Sequence, residues 1–249
     1  MRNPKLLIAT LFLLSLALAA ALSTSAAGSE GGGSGAVHYL RPNSAGPPLG
    51  ACEATTDSNS SSAFSLGGGQ MSSSPLNLAL STANLPSGVS SSAFQTALSN
   101  AVGTWEATDL PNTAFGNINP TSAELRVRRD GVSVVAFNRK GVGGAVGLTV
   151  LQQFDGSGNL VEADMLLNPK FPWSTFISGN ADTGGSPAGC AGEAGKFDVE
   201  AVLTHELGHW VRLEHIGNDV QTMFSTIGTG ETRKRTLGAG DTAGANSKY

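Results

Sequence analysis

The sequence predicts an α+β domain built on a mixed sheet, and three patterns carry that expectation. Leu76-Asn77-Leu78-Ala79-Leu80 alternates with the period of a half-buried strand. Phe94, Ala97, Leu98, Ala101, Val102 and Trp105 recur at helical spacing. Apolar runs separated by turn residues then lead to a helix-rich C-terminal end, an order that suits strands and helices segregated along the chain.

Taken in order, the first strand falls at Leu76–Leu80, and the serines Ser90 to Ser92 offer N-caps for the helix that follows. Leu125-Arg126-Val127 and Val132 to Phe137 flank Asp130-Gly131, a tight-hairpin signal. Val146 to Leu151 and Leu160 to Leu167 flank Asp155-Gly156-Ser157-Gly158, which reads as a looser hairpin. Val199, Val202, Leu203, Leu207, Trp210 and Val211 then form the apolar stripe of a second helix, with Asp198 and Glu200 suited to its positive end.

Composition narrows the function classes. A chain of 249 residues with 40% hydrophobic content supports one ordinary domain plus extra segments. Its net charge of −4 and pI near 5.5 leave no basic footprint, so a nucleic-acid partner is not expected. Two cysteines exclude a disulfide-dense scaffold and a four-cysteine zinc ribbon. A monomer is the default expectation.

The first 27 residues read as an export signal. Arg2 and Lys5 precede an apolar run from Leu6 to Leu22, and Ser25-Ala26-Ala27 places small residues before a cleavage point. The alternative is a retained anchor helix, but about 17 apolar residues is short for a bilayer. A secreted, extracellular protein with no stable membrane association after cleavage is expected. In that compartment Cys52 and Cys190 read most simply as a disulfide, with two unpaired thiols as the alternative. Residues 28–73, rich in Gly, Ser and Pro, read as a linker or pro-segment, and the folded unit as 74–249, beginning near Pro75.

The chemistry concentrates between residues 205 and 215. His205 and His209 lie four apart, about 40° around a helix axis and about 6 Å along it, so both imidazoles project from one side. That spacing lets two nitrogens reach one zinc ion. Glu206 cannot readily bind the same ion, but it can accept a proton from a water held there. His215 follows six residues after His209, Met223 comes soon after, and three of the four histidines fall in this window. Ala201 and Gly208 leave room beside the histidines.

This extended motif resembles the metzincin zinc endopeptidases, and more closely their matrixin-like secreted bacterial members. The likeness includes Glu162 to Asn168, Pro172-Trp173-Ser174, Phe197-Asp198-Val199, Thr222-Met223-Phe224 and Gly230-Glu231-Thr232. The resemblance implies a mixed, mostly parallel twisted sheet with a zinc-site helix and a C-terminal helix. It also implies one catalytic zinc held by His205, His209 and His215, a methionine turn at Met223, and hydrolysis of protein or peptide substrates.

The chain departs from the family pattern at Arg212, where glycine is usual. His215 can join the ion only if the chain bends there, and positive φ in a non-glycine residue costs on the order of 1 kcal/mol. Residues 106–204 contain no histidine, so no second, structural zinc is expected. Calcium is a weaker option, carried only by Asp155, Asp182 and Asp198 in or near Gly-rich stretches. Two rival readings remain: a catalytically impaired binding module with this fold, and a zinc hydrolase whose last ligand is Glu231. The residues Asp241 to Tyr249 are poor in apolar side chains for a closing helix, which predicts weak packing there.

Overall fold

The computed structural model describes residues 37–43, 64–72, 74–111, 114–140, 142–175, 192–193, 195–217 and 221–249. Cys52, Cys190, Asp182 and the expected leader lie outside the described residues. Among the described residues, ten strands and three α-helices make up the fold. In chain order the strands are β1 (His38–Pro42), β2 (Gln70–Met71), β3 (Leu76–Ser81), β4 (Phe115–Thr121), β5 (Ser133–Phe137), β6 (Gly147–Phe154), β7 (Asn159–Leu167), β8 (Trp173–Ser174), β9 (Phe197–Asp198) and β10 (Thr226–Ile227). The helices are α1 (Ser91–Glu106), α2 (Val199–Trp210) and α3 (Ala239–Lys248).

Eight strands join one sheet in the order β10-β1-β6-β7-β5-β3-β4, with β2 beside β7. The pairs β3–β4, β3–β5, β5–β7, β2–β7 and β1–β10 are parallel, whereas β1–β6 and β6–β7 are antiparallel. The sheet is therefore mixed and mostly parallel, in an α+β fold. A separate parallel pair, β8 with β9, leads directly into α2.

The sequence patterns explain most of these elements. α1 starts at Ser90, whose side chain accepts a hydrogen bond from Ala93 N, and its six predicted apolar positions are its buried face. β6 and β7 pair across the Asp155–Gly158 turn, where Asp155 accepts from Ser157 N and Asn159 N. Phe137 joins the two layers, with ring centroids 5.1 Å from both Phe94 and Trp173.

The hairpin expected around Asp130-Gly131 does not form. β5 has parallel neighbours on both edges, β3 and β7, so residues 125–127 have no free edge to pair with. Acidic side chains of β7 hold that loop instead. Glu162 Oε2 accepts from Asp130 N at 3.0 Å and Gly131 N at 2.5 Å, and Asp164 accepts from Arg128 N and Val134 N.

Ordered structure also begins well before Pro75. β1 and β2 both lie within the stretch read as linker or pro-segment, and both pair with strands of the main sheet. A strand of five residues among Gly, Pro and Ser leaves little trace in composition.

α3 closes the domain without an apolar face. Its buried residues are Gly240, Asp241, Gly244 and Ala245. A Cβ on Gly244 would come within 2.7 Å of Leu213 Cδ2, so the helix is seated by close backbone approach. Beyond it the Tyr249 hydroxyl accepts from Met71 N at 2.8 Å. No helix among the described residues is long and apolar enough to cross a membrane.

Candidate metal centre

α2 is buried at every residue except Glu200, which places its polar side chains inside the protein. Its start is fixed by Asp198, a fully buried carboxylate that accepts from Ala201 N and from Arg235 Nε and Nη2 at 2.6 and 2.8 Å. Burial pushes the Asp198 carboxyl up, and the Arg235 guanidinium pulls it back. On the α1 side, Trp105 Nε1 donates to Thr204 O at 2.8 Å, setting the rotation of α2 beside its first histidine.

His205, His209 and His215 converge. The His215 Nε2 atom lies 3.1 Å from His205 Nε2 and 3.2 Å from His209 Nε2. Each helical ring is oriented from behind: His205 Nδ1 donates to Thr222 O at 2.6 Å, and His209 Nδ1 donates to Leu213 O at 2.8 Å. A carbonyl can only accept, so in these two rings Nδ1 carries the proton and Nε2 presents a lone pair. Burial holds both imidazoles well below their usual pKa, and His215 at about 4. Neutral rings with lone pairs facing one another are what a divalent cation needs. Tetrahedral zinc with nitrogen at about 2.0–2.1 Å puts its ligands roughly 3.3 Å apart, so the donor set fits.

The bend that delivers His215 occurs at Arg212, which adopts φ of 72°. Its side chain is anchored throughout. Nε donates to Gly68 O and Nη1 to Gln152 Oε1, each at 2.5 Å, and the guanidinium lies 4.6 Å from the Phe154 ring centroid. Gln152 Nε2 in turn donates to His209 O.

Glu206 faces β6. Its Oε2 accepts from the Thr149 hydroxyl at 2.8 Å, while Oε1 is buried with no hydrogen-bond partner among the described residues. Burial raises its pKa to about 8. Among the described residues, the three histidines are the one group of metal-capable side chains close enough to share an ion.

The comparisons bear on this geometry. The family description Matrixin, a peptidase family, matches residues 72–249. The chain belongs to the matrixin family. Matrixins are zinc metallopeptidases, and the fold, the histidine triad and the helix carrying it accord with that membership. A comparison with curated proteins finds no match.

The other residues singled out in the sequence separate clearly. Met223 is buried under α2, where a Cβ on Gly208 would collide with its sulfur and come within 2.8 Å of Trp105 Cζ2. Glu231 is engaged elsewhere, accepting from Gly228 N and Arg233 Nη2 at 2.8 Å, and does not join the triad. Asp155 and Asp198 hold their own turn and helix cap. Sequence reasoning missed four supporting residues in this matrixin: Thr149, Gln152, Lys234 and Asp241. Asp241 accepts from Thr222 N and Met223 N, and Lys234 Nζ donates to Thr222 O and Phe224 O. No local motif marks them, because each acts across a gap in sequence.

Proposed function

We propose that this matrixin is a secreted zinc-dependent endopeptidase in which His205, His209 and His215 hold one zinc ion and Glu206 is the general base. The observation that carries the reading is the convergence of three Nε2 atoms, with Glu206, next to His205 on the same helix, holding a buried carboxylate oxygen that has no hydrogen-bond partner among the described residues. When bound, zinc supplies Lewis acidity that acidifies water and polarises a peptide carbonyl. Glu206 Oε1 is the free acceptor for the proton, and Thr149 fixes the carboxylate by holding Oε2. Glu206 then returns the proton to the leaving amine. His205 and His209 are held rigid by their backbone acceptors, so no ring has to reorient during turnover.

The binding-module alternative drew on Arg212 and on a weak C-terminal end. Arg212 takes the required φ, and α3 is tied to the turn before β10 by Asp241, which together favour the hydrolase. Export rests on the leader-like residues 1–27.

The test uses the Glu206→Gln variant. It should retain close to one zinc per chain while losing hydrolysis of a casein-like substrate by about 10²–10⁴-fold. Undiminished hydrolysis with zinc in place would refute the role of Glu206. Mass spectrometry of protein recovered from the medium tests export, and a retained leader would count against it.

A further inference from the structure

β5 lies between β3 and β7 and runs parallel to both, so the three strands end on one side of the sheet. The chain leaves that side in three segments, residues 82–88 after β3, 138–140 after β5 and 168–172 after β7. Loops that diverge from the carboxyl ends of parallel strands leave a crevice between them. Here it is a cavity of about 920 Å³, lined from all three segments and by Glu124, Trp173 and Lys196. That volume suits a peptide segment and is far too large for an inorganic ion.

The cavity has two chemical faces. Its floor is apolar. Trp173 is buried, with Nε1 donating to Asn168 O at 2.8 Å, and Leu85 and Phe171 are half-buried against the core. The Phe171 ring meets Phe197 edge-on at 5.2 Å, which braces that wall. Its rim is cationic. Arg139, Lys140 and Lys170 are exposed, and among the described residues no carboxylate pairs with any of them. Lys196 adds a fourth cation, already paired with Glu193. Among the described residues Glu124 is the one acid that lines the cavity. In a chain of net charge −4, three unpaired cations around one cavity run against the overall balance.

The cavity adjoins the candidate metal centre. Asn168 N donates to Val146 O and its Nδ2 to Ala145 O, each at 2.9 Å. The next residue of that strand is Gly147, where a Cβ would come within 2.8 Å of Glu206 Oε1. On the other side Lys196 precedes Asp198, the N-cap of α2, and His205 lies about 10 Å beyond that cap by the helical rise. At about 3.3 Å per residue, a single extended polypeptide is long enough to fill the cavity and present a bond at the triad.

We infer that this cavity anchors an acidic, apolar-containing segment of a polypeptide substrate. Apolar side chains of the segment pack against Trp173, Phe171 and Leu85, and its carboxylates meet Arg139, Lys140 and Lys170 at the rim. The inference rests on the proposed peptidase reading and deepens it by naming a substrate class, but binding of the segment is measured without turnover.

The probe is a fluorescein-labelled peptide alternating leucine with glutamate, titrated by polarisation into zinc-loaded full chain carrying Glu206→Gln. A peptide alternating leucine with lysine is the charge control. The acidic peptide should bind about tenfold tighter, and the preference should shrink as salt is raised. Lys140→Glu combined with Lys170→Glu, both at exposed positions, should weaken its binding about tenfold without altering circular dichroism or zinc content. Arg139→Glu takes their place if that chain does not fold. Equal affinity for the two peptides, or of the parent and charge-reversed chains for the acidic one, would overturn the proposal. With Glu206 in place, the same reversals should raise KM for a substrate carrying the acidic segment and leave kcat unchanged, and a change confined to kcat would also overturn it. If the acidic peptide binds as expected yet nothing is cleaved, the anchoring cavity stands and the peptidase reading falls.

Discussion

Arg212 adopts the left-handed conformation that glycine takes freely, and it does so with φ of 72° at the one place where α2 must end abruptly. The strain is on the order of 1 kcal/mol. Against it stand two charge-assisted hydrogen bonds at about 1.5–3 kcal/mol each and a ring contact to Phe154. The anchors outweigh the strain, which is why the bend forms without the usual residue. Arg212→Gly should therefore destabilise the protein by about 2–4 kcal/mol in urea melts despite relieving φ, and Arg212→Ala by about 1 kcal/mol more. An unchanged midpoint for Arg212→Gly would mean that the side chain anchors nothing. Arg212 also lies over the stretch Leu66 to Gln70, because Gly67 N donates back to Arg212 O. One residue thus shapes the bend that delivers His215 and fastens the strip leading to β2.

At the scale of elements, the centre depends on how α2 meets the Met223 turn. Gly208 has no room for a side chain against the Met223 sulfur and Trp105. Gly208→Ala should cost about 1–3 kcal/mol through overpacking and weaken zinc binding, read by competition with a chromophoric chelator. Native stability with native zinc affinity would show that the turn and the helix are not coupled. The turn is held from its far side by Asp241 and Lys234, so α3 supports the candidate metal centre although it adds no residue to the histidine triad. Few apolar residues do not make this end loose. Glycine contact and a buried carboxylate supply the order instead.

Across the whole molecule, buried carboxylates on β7 replace a hairpin. Asp164 is held at a pKa of about 7, chiefly by burial, against 3.8 as an ordinary aspartate. Between those values the folded chain keeps a proton that the unfolded chain releases, so this group's contribution to stability is full below about pH 4 and declines as pH rises to about 7. The buried histidines act in the opposite direction, since their folded pKa values are lowered. Comparing thermal melts of wild type and Asp164→Asn from pH 4 to 7 isolates the carboxylate. The wild type should lose stability relative to the variant as pH rises, and parallel curves would refute the assignment.

Local pattern alone determined α1, α2, the β6–β7 hairpin and the facing pair His205 and His209, because each depends on spacing within one element or one turn. The triad's third member required a bend that sequence could only demand. How Arg212 meets that demand depends on Gly68, Gln152 and Phe154, which are far away in the chain. The failed hairpin at Asp130-Gly131 has the same origin: a turn signal cannot reveal that both edges of β5 are already taken. β1 is the sharpest case. Five residues with weak periodicity become ordered only through backbone bonds to β6 and β10, strands that lie more than a hundred residues further on. Side-chain chemistry is written locally, whereas its partners are chosen by which distant strands the folded sheet brings alongside.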